Sequence, residues 1–312
     1  MYAPVYLHIP DGFLTIFVSL IFWAITIIMV GLAVSKTNRT LGERQIPLMG
    51  VMAAFIFAAQ MLNFPIAGGT SGHFLGGALA AIVLGPWAGI LVMTSVVGVQ
   101  ALLFQDGGLL VMGANIFNMG ILTAVIGFGF YRLVVGRKRI LRLTVAGIGA
   151  WIATMAAALV TSLQLWLSGT TRLEIVLPAM LGVHALIGIG EALITVAALV
   201  YIEQTRPDLI NPERTIEEGG KGWVVGGVLL ALAAVLISPL ASSNPDGLER
   251  VAENLGFLSS GVGPNYRFLP DYTIPFLGDT PLSTILAGIV GVLVVLVVII
   301  LVGRRLSKTE KV

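Results

Sequence analysis

A chain of 312 residues that is 57% hydrophobic and only 11% charged, with a formal charge of +2 and a mean hydropathy of +0.97, has too little polar surface to cover a water-soluble globule of that size. The 18 Lys and Arg sit in separate loops and not on one face, which argues against a nucleic-acid partner, and the absence of Cys excludes disulfides and every thiolate metal site. Any metal must be held by nitrogen and oxygen, with Met as a weak extra donor.

With roughly 20 apolar residues taken as one crossing, the chain divides into about nine spans. The first, Phe13 to Val34, is read as a retained helix because the segment before it lacks the basic stretch of a cleavable signal. Ile46 to Phe64 is the second. A glycine-rich break, Ala67-Gly68-Gly69-Thr70-Ser71-Gly72-His73, follows it. Non-helical backbone beside a membrane persists only where it is buried or lines a cavity, so this break is expected to line a site. Phe74 to Leu84 is short, and Gly85-Pro86 turns it directly into Trp87 to Phe104. A short or broken apolar segment beside a glycine loop points to a binding site in transporters. After Gln105-Asp106-Gly107-Gly108 come Leu109 to Val135, Leu143 to Leu167 and Pro178 to Ile202. The charged stretch Glu203 to Lys221 reads as a solvated linker. Gly222 to Leu240 and Leu282 to Val302 are the last two spans, separated by a polar segment from Ala241 to Pro281. The expected architecture is an all-α integral membrane protein, a body of about seven helices plus two C-terminal transmembrane helices, divided as 1–204, 205–221 and 222–312.

Basic residues cluster at Lys36, Arg39 and Arg44, at Arg132 to Arg142, and at Arg304 to Lys311. These three loops fall on one face, which the positive-inside rule makes cytoplasmic. The N-terminus is then outside and the C-terminus inside, in a multi-pass protein of the plasma membrane. The same parity puts His8, His73 and His184, the only three histidines, in the outer half.

An imidazole is a common metal ligand and proton carrier. His8, in Leu7-His8-Ile9-Pro10-Asp11-Gly12, is either an exposed terminal residue or a ligand. His73 has the stronger claim, because small residues and glycines precede it at a membrane boundary. His184 and Glu191 are seven residues apart on one helix, so they share a face, with the carboxylate about 10 Å deeper. An acid inside an apolar span is either a functional group or the acceptor of a hydrogen bond from a neighbouring helix. Asn115 and Asn118 are expected as interhelical or supporting amides. No phosphate-binding loop, zinc-protease motif or nucleophile elbow is present, so the chain is expected to bind no nucleotide and to be no enzyme.

Four stretches together carry a resemblance: His8-Ile9-Pro10-Asp11-Gly12-Phe13-Leu14; Gly68-Gly69-Thr70-Ser71-Gly72-His73-Phe74-Leu75-Gly76-Gly77; Asp106-Gly107-Gly108 with Gly113-Ala114-Asn115-Ile116-Phe117-Asn118-Met119-Gly120; and His184-Ala185-Leu186-Ile187-Gly188-Ile189-Gly190-Glu191-Ala192. In this order they resemble the CbiM/NikM family of substrate-binding membrane subunits in energy-coupling-factor transporters for cobalt and nickel. Asn244-Pro245-Asp246-Gly247-Leu248-Glu249, with Pro270-Asp271-Tyr272 and the last span, resembles the family's two-span accessory subunit, here fused to the body. The resemblance implies capture of Ni²⁺ or Co²⁺ outside the cell through His8 and His73, with Ser71, Asn115, Asn118, His184 and Glu191 in support. It also implies a membrane scaffold (T) subunit and two cytoplasmic ATPase (A) subunits as partners. The family places its first histidine directly after the initiator Met, so that the terminal amine joins the chelate. Here Met1 to Leu7 precede His8, so either the leader is trimmed, or the start is misread, or His8 binds by its ring alone. A proton-coupled secondary transporter working through His184 and Glu191, and a non-transporting metal-binding relative, are the rival expectations.

Overall fold

The computed structural model describes residues 7–38, 45–207, 222–263 and 266–308. The six residues that open the chain, Arg39, Arg44, Lys311 and most of the charged linker lie outside the described residues.

All nine expected apolar segments form helix. They are α1 (Ile16–Asn38), α2 (Gln45–Gln60), α3 (Gly77–Leu84), α4 (Pro86–Val99), the span made of α5 (Met112–Asn115) and α6 (Thr123–Arg132), α7 (Arg139–Leu167), α8 (Leu173–Thr205), α9 (Gly222–Ile237) and α11 (Pro281–Lys308), with the short α10 (Gly247–Leu255) between the last two. Seven helices are long and apolar enough to cross a membrane, while α2, with 16 residues, is shorter. At 8 residues α3 is too short to span alone; at about 1.5 Å per residue it covers roughly 12 Å. The non-helical lead from His73 to Gly76 precedes it. Among the described residues this is an all-α membrane protein with one small hairpin.

That hairpin was not expected. The second span was drawn to Phe64, but α2 ends at Gln60, and Phe64–Ile66 (β1) instead pairs antiparallel with Thr70–Gly72 (β2), Phe64 opposite Gly72. Pro65 accounts for the difference, since it disfavours helix at Phe64 and has no N–H to continue one. Gly68 and Gly69 make the turn, both at positive φ. The start of the seventh span also moves: Pro178 lies inside α8 and does not open it. Pro178 is only five residues into the helix, so its missing N–H leaves one carbonyl unpaired near an end. His184 is therefore about three turns from that end, where a helix opening at Pro178 would put it about two turns in.

Two long spans are interrupted by π-helical turns, Gln100–Phe104 at the end of α4 and Ile116–Leu122 between α5 and α6. Each adds a residue to the local turn and re-aims the side chains beyond it. Both lie at the end of the bundle where the histidines gather. Small residues bring the helices close there and below: a Cβ at Gly127 would sit 2.5 Å from Ala78 Cβ, and one at Gly113 2.7 Å from Trp23 Cα. The C-terminal pair packs on the body through α2. Gly227 on α9 faces Val51, and Gly291 and Gly303 on α11 face Phe57 and Ile46, all three partners on α2. Above them α10 buries Leu248, Val251 and Ala252 in one cluster with Ile9, Phe13, Val111 and Met180. At the opposite end Glu203 takes Arg139 Nε and Arg142 Nη2 at 2.7 Å each.

Candidate functional site

Asp11 fixes the approach of the N-terminal segment. Its carboxylate accepts N–H groups from Leu109 (3.1 Å), Leu110 (2.9 Å) and Val111 (3.1 Å) at the start of α5, where a helix presents unpaired donors and favours negative charge. Gly108 permits the approach, since a Cβ there would overlap the Asp11 carboxylate. Asn115 completes the clasp: its Oδ1 accepts the N–H of Ile9 at 3.1 Å and its Nδ2 donates to the Ile9 carbonyl at 3.0 Å. His8 is thereby held between α5 and the Gln105–Gly108 turn, and it is 3% exposed.

Glu191 does the same for His73. Its two oxygens accept the N–H groups of Leu75 (2.6 Å) and Gly76 (3.0 Å), pinning the non-helical lead to α8. Of the two readings the sequence left open, the hydrogen-bond acceptor is the one this geometry describes, with the backbone of the His73 lead as donor. Ser71 anchors the hairpin from the other side, donating from Oγ to the Asn244 carbonyl at 2.8 Å.

The result brings residues 65 positions apart into contact: the rings of His8 and His73 have centroids 5.4 Å apart at an interplanar angle of 67°. Each ring is held from behind. His8 Nδ1 donates to the Asp106 carbonyl at 3.1 Å with Asp106 Oδ1 at 3.5 Å, and His73 Nδ1 pairs with Asp246 Oδ2 at 2.9 Å. A carbonyl or carboxylate oxygen accepts the ring N–H, so in its neutral form each ring carries its proton on Nδ1 and directs a lone pair from Nε2. Both Nε2 atoms are buried and have no hydrogen-bond partner. Buried polar atoms without a partner are few in folded proteins; two from neighbouring imidazoles that line one cavity call for a ligand.

Burial lowers the pKa of His8 and outweighs the opposing Asp106 charge. At His73 burial pulls the same way, but the charge and hydrogen bond of Asp246 outweigh it and hold the pKa above the usual value. The two rings meet a cavity of about 60 Å³, lined also by Leu7, Asn115, Asn118, Met119, Thr161, Met180, His184 and Asp246. Its size suits a single ion or one to two waters. Asn118, in its wall, bonds reciprocally with Gln164, at 2.8 and 3.0 Å. His184 lines the wall with Nδ1 donating to the Met180 carbonyl at 2.8 Å. Among the described residues no three His, Asp or Glu side chains converge as a ready ligand set; the two imidazoles share the cavity wall with the side chains of Asn115, Asn118, Met119 and Met180.

Sequence reasoning missed Asp106, Asp246 and Tyr272 as parts of this site. Tyr272 is buried, stacks on Phe104 at 4.7 Å, and donates its hydroxyl to Asp106 Oδ2 at 2.7 Å. The one signal in the sequence was an Asp beside glycine in both Asp106-Gly107-Gly108 and Asp246-Gly247; the pairing partners are 98 and 173 residues away.

The fold and this cavity define a multi-pass helical membrane protein with a small, imidazole-lined pocket at one end of the bundle. Two family models cover it: the cobalt uptake substrate-specific transmembrane region, CbiM, matches residues 8–209, and the PDGLE domain matches residues 221–308. The chain belongs to the CbiM family and carries the PDGLE domain fused behind it. It is 39% identical over 93% of its length to a NikMN chain of Archaeoglobus fulgidus, 96% of which is covered. It is 28% identical over 92% of its length to the fused nickel transport protein NikMN of Rhodobacter capsulatus, covering 94% of that protein. A crystal structure of a truncated transition metal transporter superposes with a TM-score of 0.58 at 34% identity, covering 63% of this chain and 98% of the other. These relatives are transport proteins, as expected of a chain read as a transport component and not an enzyme.

Proposed function

We propose that the chain is the substrate-capture subunit of an importer for Ni²⁺ or Co²⁺, and that the dication is held between Nε2 of His8 and Nε2 of His73. The observation that carries this reading is the pair of buried, partnerless ring nitrogens on neighbouring imidazoles, each backed through Nδ1 by an aspartate. A carboxylate or carbonyl behind a metal-ligating histidine fixes its tautomer and raises its basicity. A first-row dication bonds imidazole nitrogen at roughly 2.0–2.1 Å, a span that two rings in edge contact accommodate. Imidazole and amide nitrogen suit nickel and cobalt alike, so the donor types do not choose between them.

In this reading the histidine end faces outward and the Arg142–Glu203 end faces the cytoplasm, as the clustering of basic residues requires. Residues 1–204 form the metal-binding body, 205–221 a cytoplasmic linker, and 222–312 a two-span accessory unit whose polar segment covers the pocket. The names of the relatives support transport of nickel or cobalt. The chain shows no nucleotide-binding motif, so the energy comes from partners, a membrane scaffold subunit and two ATPases. Proton coupling through His184 and Glu191 is disfavoured by the two backbone N–H groups that occupy the Glu191 oxygens. The direct test is Ni²⁺ titration of the purified chain in detergent. Wild type takes up one ion per chain and His73→Ala none; equal uptake by both puts the site elsewhere.

A further inference from the structure

Asp246 stands at the N-cap of α10, where an aspartate ordinarily accepts the N–H of the second or third helical residue. Its side chain makes no cap hydrogen bond. The carboxylate turns outward from its own helix and bonds His73 Nδ1 at 2.9 Å instead. The sequence Asp246-Gly247-Leu248-Glu249 has the spacing of a capping box, and only half of the box is closed: Glu249 accepts the Asp246 backbone N–H, while the reciprocal bond has been given to the histidine.

The neighbouring residues serve the same docking. The Pro245 carbonyl accepts the Ser71 N–H at 2.9 Å, extending β2 by a parallel bridge between Ser71 and Asp246. A Cβ on Gly247 would lie 2.7 Å from Ile187 Cδ1 and 3.2 Å from His184 Cε1, so glycine alone lets α10 meet α8 at this depth. Leu248 is 6% exposed and forms part of the cavity wall. Farther along the same polar segment, Tyr272 holds Asp106, the residue behind His8.

We propose that the PDGLE segment is a working part of the pocket: Asp246 is a positioning residue that fixes the His73 ring for the dication, and the accessory unit thereby sets the affinity of the body. This rests on the reading of the pocket as a dication site. Both imidazoles are braced through the accessory unit, His73 directly by Asp246 and His8 through Asp106 and Tyr272. Withdrawal of α10 from α8 removes the partner of His73 and the Leu248 wall in one movement, which loosens the ring and opens the cavity together.

The test uses the full chain in detergent, with Asp246→Asn, which retains an acceptor but not the charge, and Asp246→Ala, which retains neither. Ni²⁺ affinity is measured by calorimetry, and the proton position on each ring by ¹⁵N spectra of the three histidines, assigned with single histidine variants. The expected result is a loss of affinity of about 10- to 100-fold, the range for an outer partner of a metal-ligating histidine, larger for Ala than for Asn. The His73 proton moves from Nδ1 to Nε2 in Asp246→Ala. Wild-type affinity in Asp246→Ala overturns the proposal. So does weakened binding with the His73 proton still on Nδ1, since the carboxylate then only braces the segment. If wild type itself takes up no Ni²⁺ or Co²⁺, the dication reading of the pocket fails, and the positioning proposal falls with it.

Discussion

Two cavities mark the two ends of this bundle, and they differ in size and in the groups that line them. At the histidine end lies the pocket of about 60 Å³, with His8, His73 and Asp246 in its wall. At the other end a crevice of about 660 Å³ opens between α2, α8 and α9, lined by Leu48, Phe55, Ile194, Tyr201, Trp223 and Leu230, with Arg206 4.5 Å from the Trp223 ring. Size would favour the second, since binding sites for organic ligands are large and apolar. Chemistry favours the first. A dication needs few donors at short range, and a pocket that admits it need be no larger than a water or two. The crevice faces where lipid would lie, and only 17% of α9's apolar window is buried within the chain. Cavity volume is a guide to ligand size and not to function.

The sharpest way to break this contrast is to remove a ring. His8→Ala and His73→Ala should each reduce Ni²⁺ affinity by more than about 100-fold, beyond the effect of losing an outer partner; calorimetry that finds less than about 10-fold for either would show that the imidazole pair is not the nucleus of the site. Next in size is Glu191→Ala, which strands the buried N–H groups of Leu75 and Gly76 at about 1–3 kcal/mol each. A lower unfolding temperature in detergent and weaker Ni²⁺ binding should appear together; binding loss without destabilisation would make Glu191 a participant and not a staple.

Acidity should act through one ring. The metal needs an unprotonated Nε2, and the His73 pKa is raised, by Asp246 against burial, while that of His8 is lowered by burial. As pH falls through the raised His73 pKa, His73 takes up its proton first and His8 only at lower pH, so affinity should begin its decline with a one-proton slope. A two-proton slope at that onset, or none, would contradict the assignment of the aspartates. At the other end of the molecule the expected effect is smallest: Gly226→Ala, whose Cβ meets only Tyr201 Oη at 3.8 Å, should alter the apolar crevice and leave Ni²⁺ affinity within about 2-fold.

The spans were legible because a run of apolar residues long enough to cross a bilayer rarely serves another purpose. His73 was legible for a related reason, since a glycine-rich break between such runs must line something. The β-hairpin escaped notice because three-residue strands carry no periodicity, and Pro65 read as the close of a span. The aspartates escaped for a different reason. Asp106 and Asp246 acquire their roles only from partners distant in the chain, and Asp246 also imitates an ordinary helix cap. What the sequence displayed in that motif was local capping; what the fold makes of it is a bond between two units of the chain. The π-helical turns that aim Asn118 and Asp106 left no mark in composition at all.

The central claim is that one dication sits between the imidazoles of His8 and His73. X-ray absorption on the Ni²⁺-loaded full chain addresses it most directly. The account predicts imidazole scattering from at least two rings at roughly 2.0–2.1 Å, lost together with the bound metal in the His8→Ala/His73→Ala double variant. A nickel centre surrounded by oxygen alone, or a spectrum unchanged in that variant, would contradict it.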